Sequence, residues 1–114
     1  MNFIEDVSGN VLLLFLEGDL IGGEDTKSIF ETVQNHIEKG IIRCVIDISN
    51  VRFINSSGIG VLITILTKFR NKEGELVLIN PSEQVKKLLI ITKLNAIFSV
   101  LINREEAILK LSTI

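Results

Sequence analysis

The chain has 114 residues, 46% of them hydrophobic and 23% charged, which fits one soluble globular domain with a single core. Twelve Lys and Arg against 14 Asp and Glu give a net charge of -2. With no basic block, and neither Trp nor Tyr, this balance speaks against nucleic-acid binding of the electrostatic kind. The lone Cys44 excludes an internal disulfide, and with the lone His36 it makes no metal-ligand set.

No basic stretch followed by an apolar core opens the sequence, so no signal peptide is expected. Charged or turn residues break every apolar run before the roughly 20 residues that a membrane span needs. No membrane insertion is therefore expected, and the cytoplasm is the expected location.

Residues 1–7 and 11–16 read as two strands of an antiparallel hairpin, joined by Ser8-Gly9-Asn10. Glu17-Gly18-Asp19 is expected to break the second strand. Residues 24–39 predict a helix, with Ile29, Phe30, Val33 and Ile37 at helical spacing and Gly40 as the stop. Glu24 and Asp25 in its first turn and Lys39 in its last suit the helix dipole. His36 falls beside the apolar stripe, where an exposed or edge position is expected.

Residues 42–48 are apolar almost throughout, as in a strand covered on both faces, with Cys44 a small core residue. A short polar connection then leads to a helix over residues 57–71. Its inner face is expected to hold Ile59, Leu62, Ile63, Leu66 and Phe69, widened by Val61 and Ile65. So broad an apolar surface implies burial on more than one side, or a partner.

A strand at 76–79 follows, then a short helix capped by Asn80-Pro81-Ser82 with Val85, Leu88 and Leu89 inward. A weak strand at 96–101 and a helix at 104–111 complete the order. Strands alternating with helices after an opening hairpin imply an α/β fold. We expect a mostly parallel sheet of about five strands, an antiparallel N-terminal hairpin and about four helices.

An enzyme needs converging acids, bases, nucleophiles or ligands. No G-x-x-x-x-G-K-[ST] or G-x-G-x-x-G follows a strand, and Glu105-Glu106 reads as a dipole-matching first turn. No active site and no cofactor are expected.

What remains is Asn55-Ser56-Ser57-Gly58 at the start of the second helix. Asn and Ser are preferred N-caps, worth about 1 kcal/mol each, and no Glu or Gln completes a capping box. The same geometry also suits a phosphoacceptor. A phosphate would bring about -1.5 to -2 charge to the positive end of a helix, where the fold tolerates it but a docked partner does not. The residues alone leave both open.

Residues 47–62, D-I-S-N-V-R-F-I-N-S-S-G-I-G-V-L, resemble the signature of STAS domains, specifically bacterial anti-sigma factor antagonists of the SpoIIAA/RsbV type. The likeness takes in E-G-D-L at 17–20, the strand and cap at 74–82 and V-K-K-L-L at 85–89. It implies one STAS domain over residues 1–114 with the SpoIIAA-like fold.

The resemblance also implies a switch with Ser56 as phosphoacceptor. A serine kinase that doubles as anti-sigma factor would bind the unphosphorylated chain, freeing a sigma factor. A PP2C-type phosphatase would restore that form. The ATP belongs to the kinase, so the chain would not be an enzyme. Asn55, Ser57, Gly58, Asp19 and Ile21 map to the surface that meets the partner. For Gly58, close approach of a partner backbone and tight packing inside the fold are both open. Asp19 and Asp47 would order their loops or contact the partner.

Two positions depart from the family pattern: Asn55 replaces an aspartate before the acceptor, and Ile21 replaces another, beside Gly22-Gly23. The rival expectation is a constitutive STAS adaptor subunit of a lipid-transport ABC complex or another signalling assembly. The sigma factor, the kinase and the oligomeric state are left open.

Overall fold

The two opening apolar runs pair as a hairpin in the computed structural model, which describes residues 2–23 and 25–112. β1 (Asn2–Ser8) and β2 (Val11–Leu20) run antiparallel, from Asn2 opposite Glu17 to Ser8 opposite Val11. The chain continues through α1 (Asp25–Glu38), β3 (Arg43–Ile54), α2 (Ser56–Arg70) and β4 (Glu75–Ile79). It ends with α3 (Glu83–Ile91), a short 3-10 turn at Leu94–Ala96, β5 (Ser99–Leu101) and α4 (Arg104–Ser112).

The five strands lie in chain order, β1-β2-β3-β4-β5, and β2 to β5 are mutually parallel. Crossovers of one hand, repeated while the sheet grows in one direction, put their helices on one face. Accordingly α1, α2 and α3 cover the face built by Leu12, Leu14, Leu16, Cys44, Ile46, Ile48, Leu76 and Leu78. The alternate residues Val11, Leu13, Val45, Val77 and Ile79 point the other way, where Ala107 and Leu111 of α4 pack on them. The expected architecture is borne out in strand number, strand direction and helix number.

Two strands run further than their sequences imply. β2 passes through Glu17-Gly18-Asp19 to Leu20, and β3 continues from Ser49 to Ile54. The ladder between them survives with register shifts between Phe15 and Glu17 and between Gly18 and Asp19. In the β3 extension only Val51 and Ile54 are buried, an inward residue every third position. The supposed polar connection is therefore strand, and it carries the sheet up to the start of α2.

On α1, Ile29, Val33 and Ile37 are buried as expected, while Glu24 lies outside the described residues. His36 sits at the edge, its Nε2 2.8 Å from Glu5 Oε2 on β1. On α2 the inner face is Gly58, Val61, Leu62, Ile65, Leu66 and Phe69; Ile63, expected inside, is exposed. The fifth strand is shorter than expected, because residues 94–96 coil tightly and bury Leu94 instead. Among the described residues no helix is long and apolar enough to cross a membrane.

Candidate functional site

The parallel strands β2 and β3 end side by side, and the chain turns from the last residue of β3 directly into α2. Ile54 is anchored in the core, so Asn55 alone makes the turn. Its backbone is extended, with φ -104° and ψ -175°, and its side-chain oxygen accepts the Gly58 N–H at 2.8 Å. Its own N–H donates to the Leu20 carbonyl at 3.3 Å, and its carbonyl accepts the Ile59 N–H at 2.9 Å. The cap is thus Asn55, and the helix begins at Ser56, one position earlier than the sequence implies.

Ser56 and Ser57 are the first two helical residues, and both are exposed. Their hydroxyls make no hydrogen bond among the described residues. The first turn of α2 carries no acid, whereas Lys68 and Arg70 occupy its last turn. The positive end of this 15-residue helix is therefore uncompensated, and an anion on Ser56 would sit favourably there.

Two glycines hold the helix start in place. Gly58 is buried against the backbone of Leu20, where a Cβ would overlap the Leu20 carbonyl oxygen. Of the two roles open to Gly58 in the sequence, packing inside the fold is the one the geometry supports. Gly22 has φ +79°, and a Cβ on it would come within 2.9 Å of Ser57 Cβ. The loop after β2 therefore lies along the first turn of α2, bringing exposed Ile21 beside the serines.

Asp19 is half-buried at the end of β2, and the Arg52 guanidinium approaches both its carboxylate oxygens at 3.4 Å. A pair this long and this exposed contributes little to stability. Asp47 lies within β3 and serves its own backbone: its Oδ1 accepts the Ser49 N–H at 2.9 Å and the Ser49 hydroxyl at 2.7 Å. The structure thus gathers Asp19, Ile21, Asn55, Ser56, Ser57 and Gly58 at one end of the sheet, while Asp47 has a local role.

Two features of the site escape the sequence. One is Gly22, whose packing partner is far along the chain. The other is a groove beside the loop, of about 230 Å³, between the end of β3 and α3. Phe53, an apolar residue in a stretch that reads as polar, is the only hint of it. Cys44 is fully buried away from this region, and burial pushes its thiol pKa up.

The STAS domain family model matches residues 3–107. The chain is 26% identical to BtrV of Bordetella bronchiseptica, named as a candidate anti-sigma factor antagonist, over 94% of this chain and 91% of that protein. Its fold is similar to TM1081 of Thermotoga maritima, also described as a candidate anti-sigma factor antagonist. That match has a TM-score of 0.86 at 24% identity, covering 96% of this chain and 94% of that one. The phosphorylated form of Bacillus SpoIIAA matches with a TM-score of 0.74 at 22% identity, covering 96% of this chain and 98% of that one. With 105 consecutive positions inside the family model, and the strand order and capped α2 just described, the chain belongs to the STAS domain family.

Proposed function

We propose that this chain is an anti-sigma factor antagonist whose binding is switched by phosphorylation of Ser56. The observation that carries this is the Ser56 side chain, exposed on the first residue of α2 and free of hydrogen bonds among the described residues. The loop around it is held by the Asn55 cap and the Gly58 contact, so a modified side chain need not disturb the fold.

The chemistry assigned to this chain is that of an acceptor. A serine kinase supplies ATP, the γ-phosphoryl group passes to Ser56 Oγ, ADP leaves and the hydroxyl proton is lost to solvent. The unphosphorylated chain binds that kinase in its role as anti-sigma factor and frees the sigma factor. The phosphorylated chain presents a dianion where the partner docked, and lets go. A PP2C-type phosphatase restores the hydroxyl by hydrolysis, water taking the phosphoryl group away as inorganic phosphate. The chain is then a cytoplasmic binding protein with no cofactor of its own. Support comes from relatives named as anti-sigma factor antagonists and from a phosphorylated form of SpoIIAA on the same fold.

The test incubates the chain with ATP and each serine kinase encoded beside its gene, and reads intact mass. The switch requires a gain of one phosphate that disappears in Ser56→Ala. A gain that persists in Ser56→Ala moves the acceptor elsewhere. No gain with any kinase, together with stable co-purification with transporter subunits, establishes a constitutive adaptor.

A further inference from the structure

The groove beside the acceptor loop is floored by Ile54, Val85 and Leu88. Phe53 and Ile91 stand at its rim, 48% and 77% exposed, so two large apolar side chains flank one concave lining. Its volume of about 230 Å³ exceeds the roughly 150 Å³ cavity that accommodates a benzene ring, so one aromatic or branched aliphatic side chain fits. The charged residues of the lining are Arg52 and Lys87, and no acid is among them, although the chain as a whole has more acids than bases. Lys87 makes no ion pair among the described residues. Among the described residues Arg52 is held only by the long contact to Asp19.

The groove also lies close to the acceptor along the chain. Ile54 lies in the groove floor, Asn55 caps α2, and Ser56 follows. The α-carbons of Arg52 and Ser56 are four residues apart, at most about 14 Å of extended chain. A partner seated on Ser56 is therefore within about 14 Å of the Arg52 edge of the groove.

From this we infer that the groove between β3 and α3 docks an acidic amphipathic segment of the partner kinase. The segment places one large apolar side chain between Phe53 and Ile91 and its carboxylates against Arg52 and Lys87. This rests on the switch proposed above and adds how the switch releases its partner. A phosphate on Ser56 brings about -1.5 to -2 charge to a surface whose attraction for the segment is positive. The modification offsets Arg52 and Lys87 and repels the carboxylates, acting on the contact that holds the partner rather than on the fold.

The test uses the full chain and the kinase found by phosphate transfer, with affinity measured by calorimetry at low and physiological salt. The double variant Arg52→Glu/Lys87→Glu should weaken binding about tenfold or more and flatten its salt dependence. Phe53→Ala should cause a comparable loss at any salt. The charge reversal should keep the melting temperature close to wild type, and Phe53→Ala, whose ring is about half covered, should lower it by only a few degrees while the chain stays folded. If wild type binds and the charge reversal stays within about twofold of it, or binds more tightly, the acidic-segment inference fails while the switch stands. If wild type binds no kinase that modifies Ser56, the switch and the inference fall together. Shifts of the Phe53 and Ile91 amide signals on adding palmitate alone, saturating at micromolar concentration, would make the groove a lipid pocket and overturn the inference.

Discussion

Gly58 rests directly on the carbonyl of Leu20, with no room between them for a side chain. The same carbonyl accepts the N–H of Asn55, so the end of β2 and the start of α2 share one fixed point. Gly58→Ala must push the helix off the sheet, and a destabilisation of about 3 kcal/mol is expected in urea unfolding. Gly60, two residues on, faces open space. Gly60→Ala should leave stability unchanged or raise it by up to about 1 kcal/mol. Equal effects at the two positions would mean that the contact with Leu20 is not what holds the helix start.

Asn55 supplies the side-chain cap of α2, through its 2.8 Å bond to the Gly58 N–H. Asn55→Ala should cost about 1 kcal/mol. Asn55→Asp keeps the acceptor oxygen and adds a charge at the favourable end of the helix, so it should equal wild type or exceed it by about 0.3–1 kcal/mol. Chemical denaturation of the three proteins ranks them. An aspartate no better than alanine would contradict the cap.

Ser56→Asp tests the charge without the kinase. Because the side chain is exposed and the first turn has no acid, stability should stay within about 1 kcal/mol of wild type while partner affinity drops. A melting temperature far below wild type would show that the position cannot take a charge, which is incompatible with an acceptor there.

Cys44 is fully buried, and its thiol pKa is pushed up by that burial. The reactive thiolate is therefore scarce and shielded in the folded chain. Labelling by a thiol reagent at neutral pH should proceed only through opening of the core, and speed up in urea as the unfolded population grows. Prompt labelling in native buffer would place β3 nearer solvent than the structure does.

Much of the fold was open to reading from sequence, because most of its elements obey a simple period. The apolar run of β3, the spacing of Ile29, Val33 and Ile37 on α1, and the Ser82 cap of α3 each announce themselves. Ser82 indeed accepts the Val85 N–H, at 3.3 Å. The far halves of β2 and β3 do not. Their ladder is shifted twice, and residues 49–54 turn inward every third position instead of every second, so Phe53 and Arg52 pass for loop. At the site, Asn55 and the serines are local signals of a helix start. The reason for Gly58 is a carbonyl on another strand, and no local pattern in the chain records that. The groove is likewise assembled from β3 and α3, elements separated in the chain by α2 and β4.

The two faces of the sheet are not covered alike. Three helices interleaved with the strands close one side as the chain is made, but Val11, Leu13, Val45, Val77 and Ile79 wait for Ala107 and Leu111. During synthesis the strands and the three other helices thus precede the cover of this face, and its aliphatic surface stays bare meanwhile. Until residues 104–112 arrive, that surface is open to chaperones and to other nascent chains.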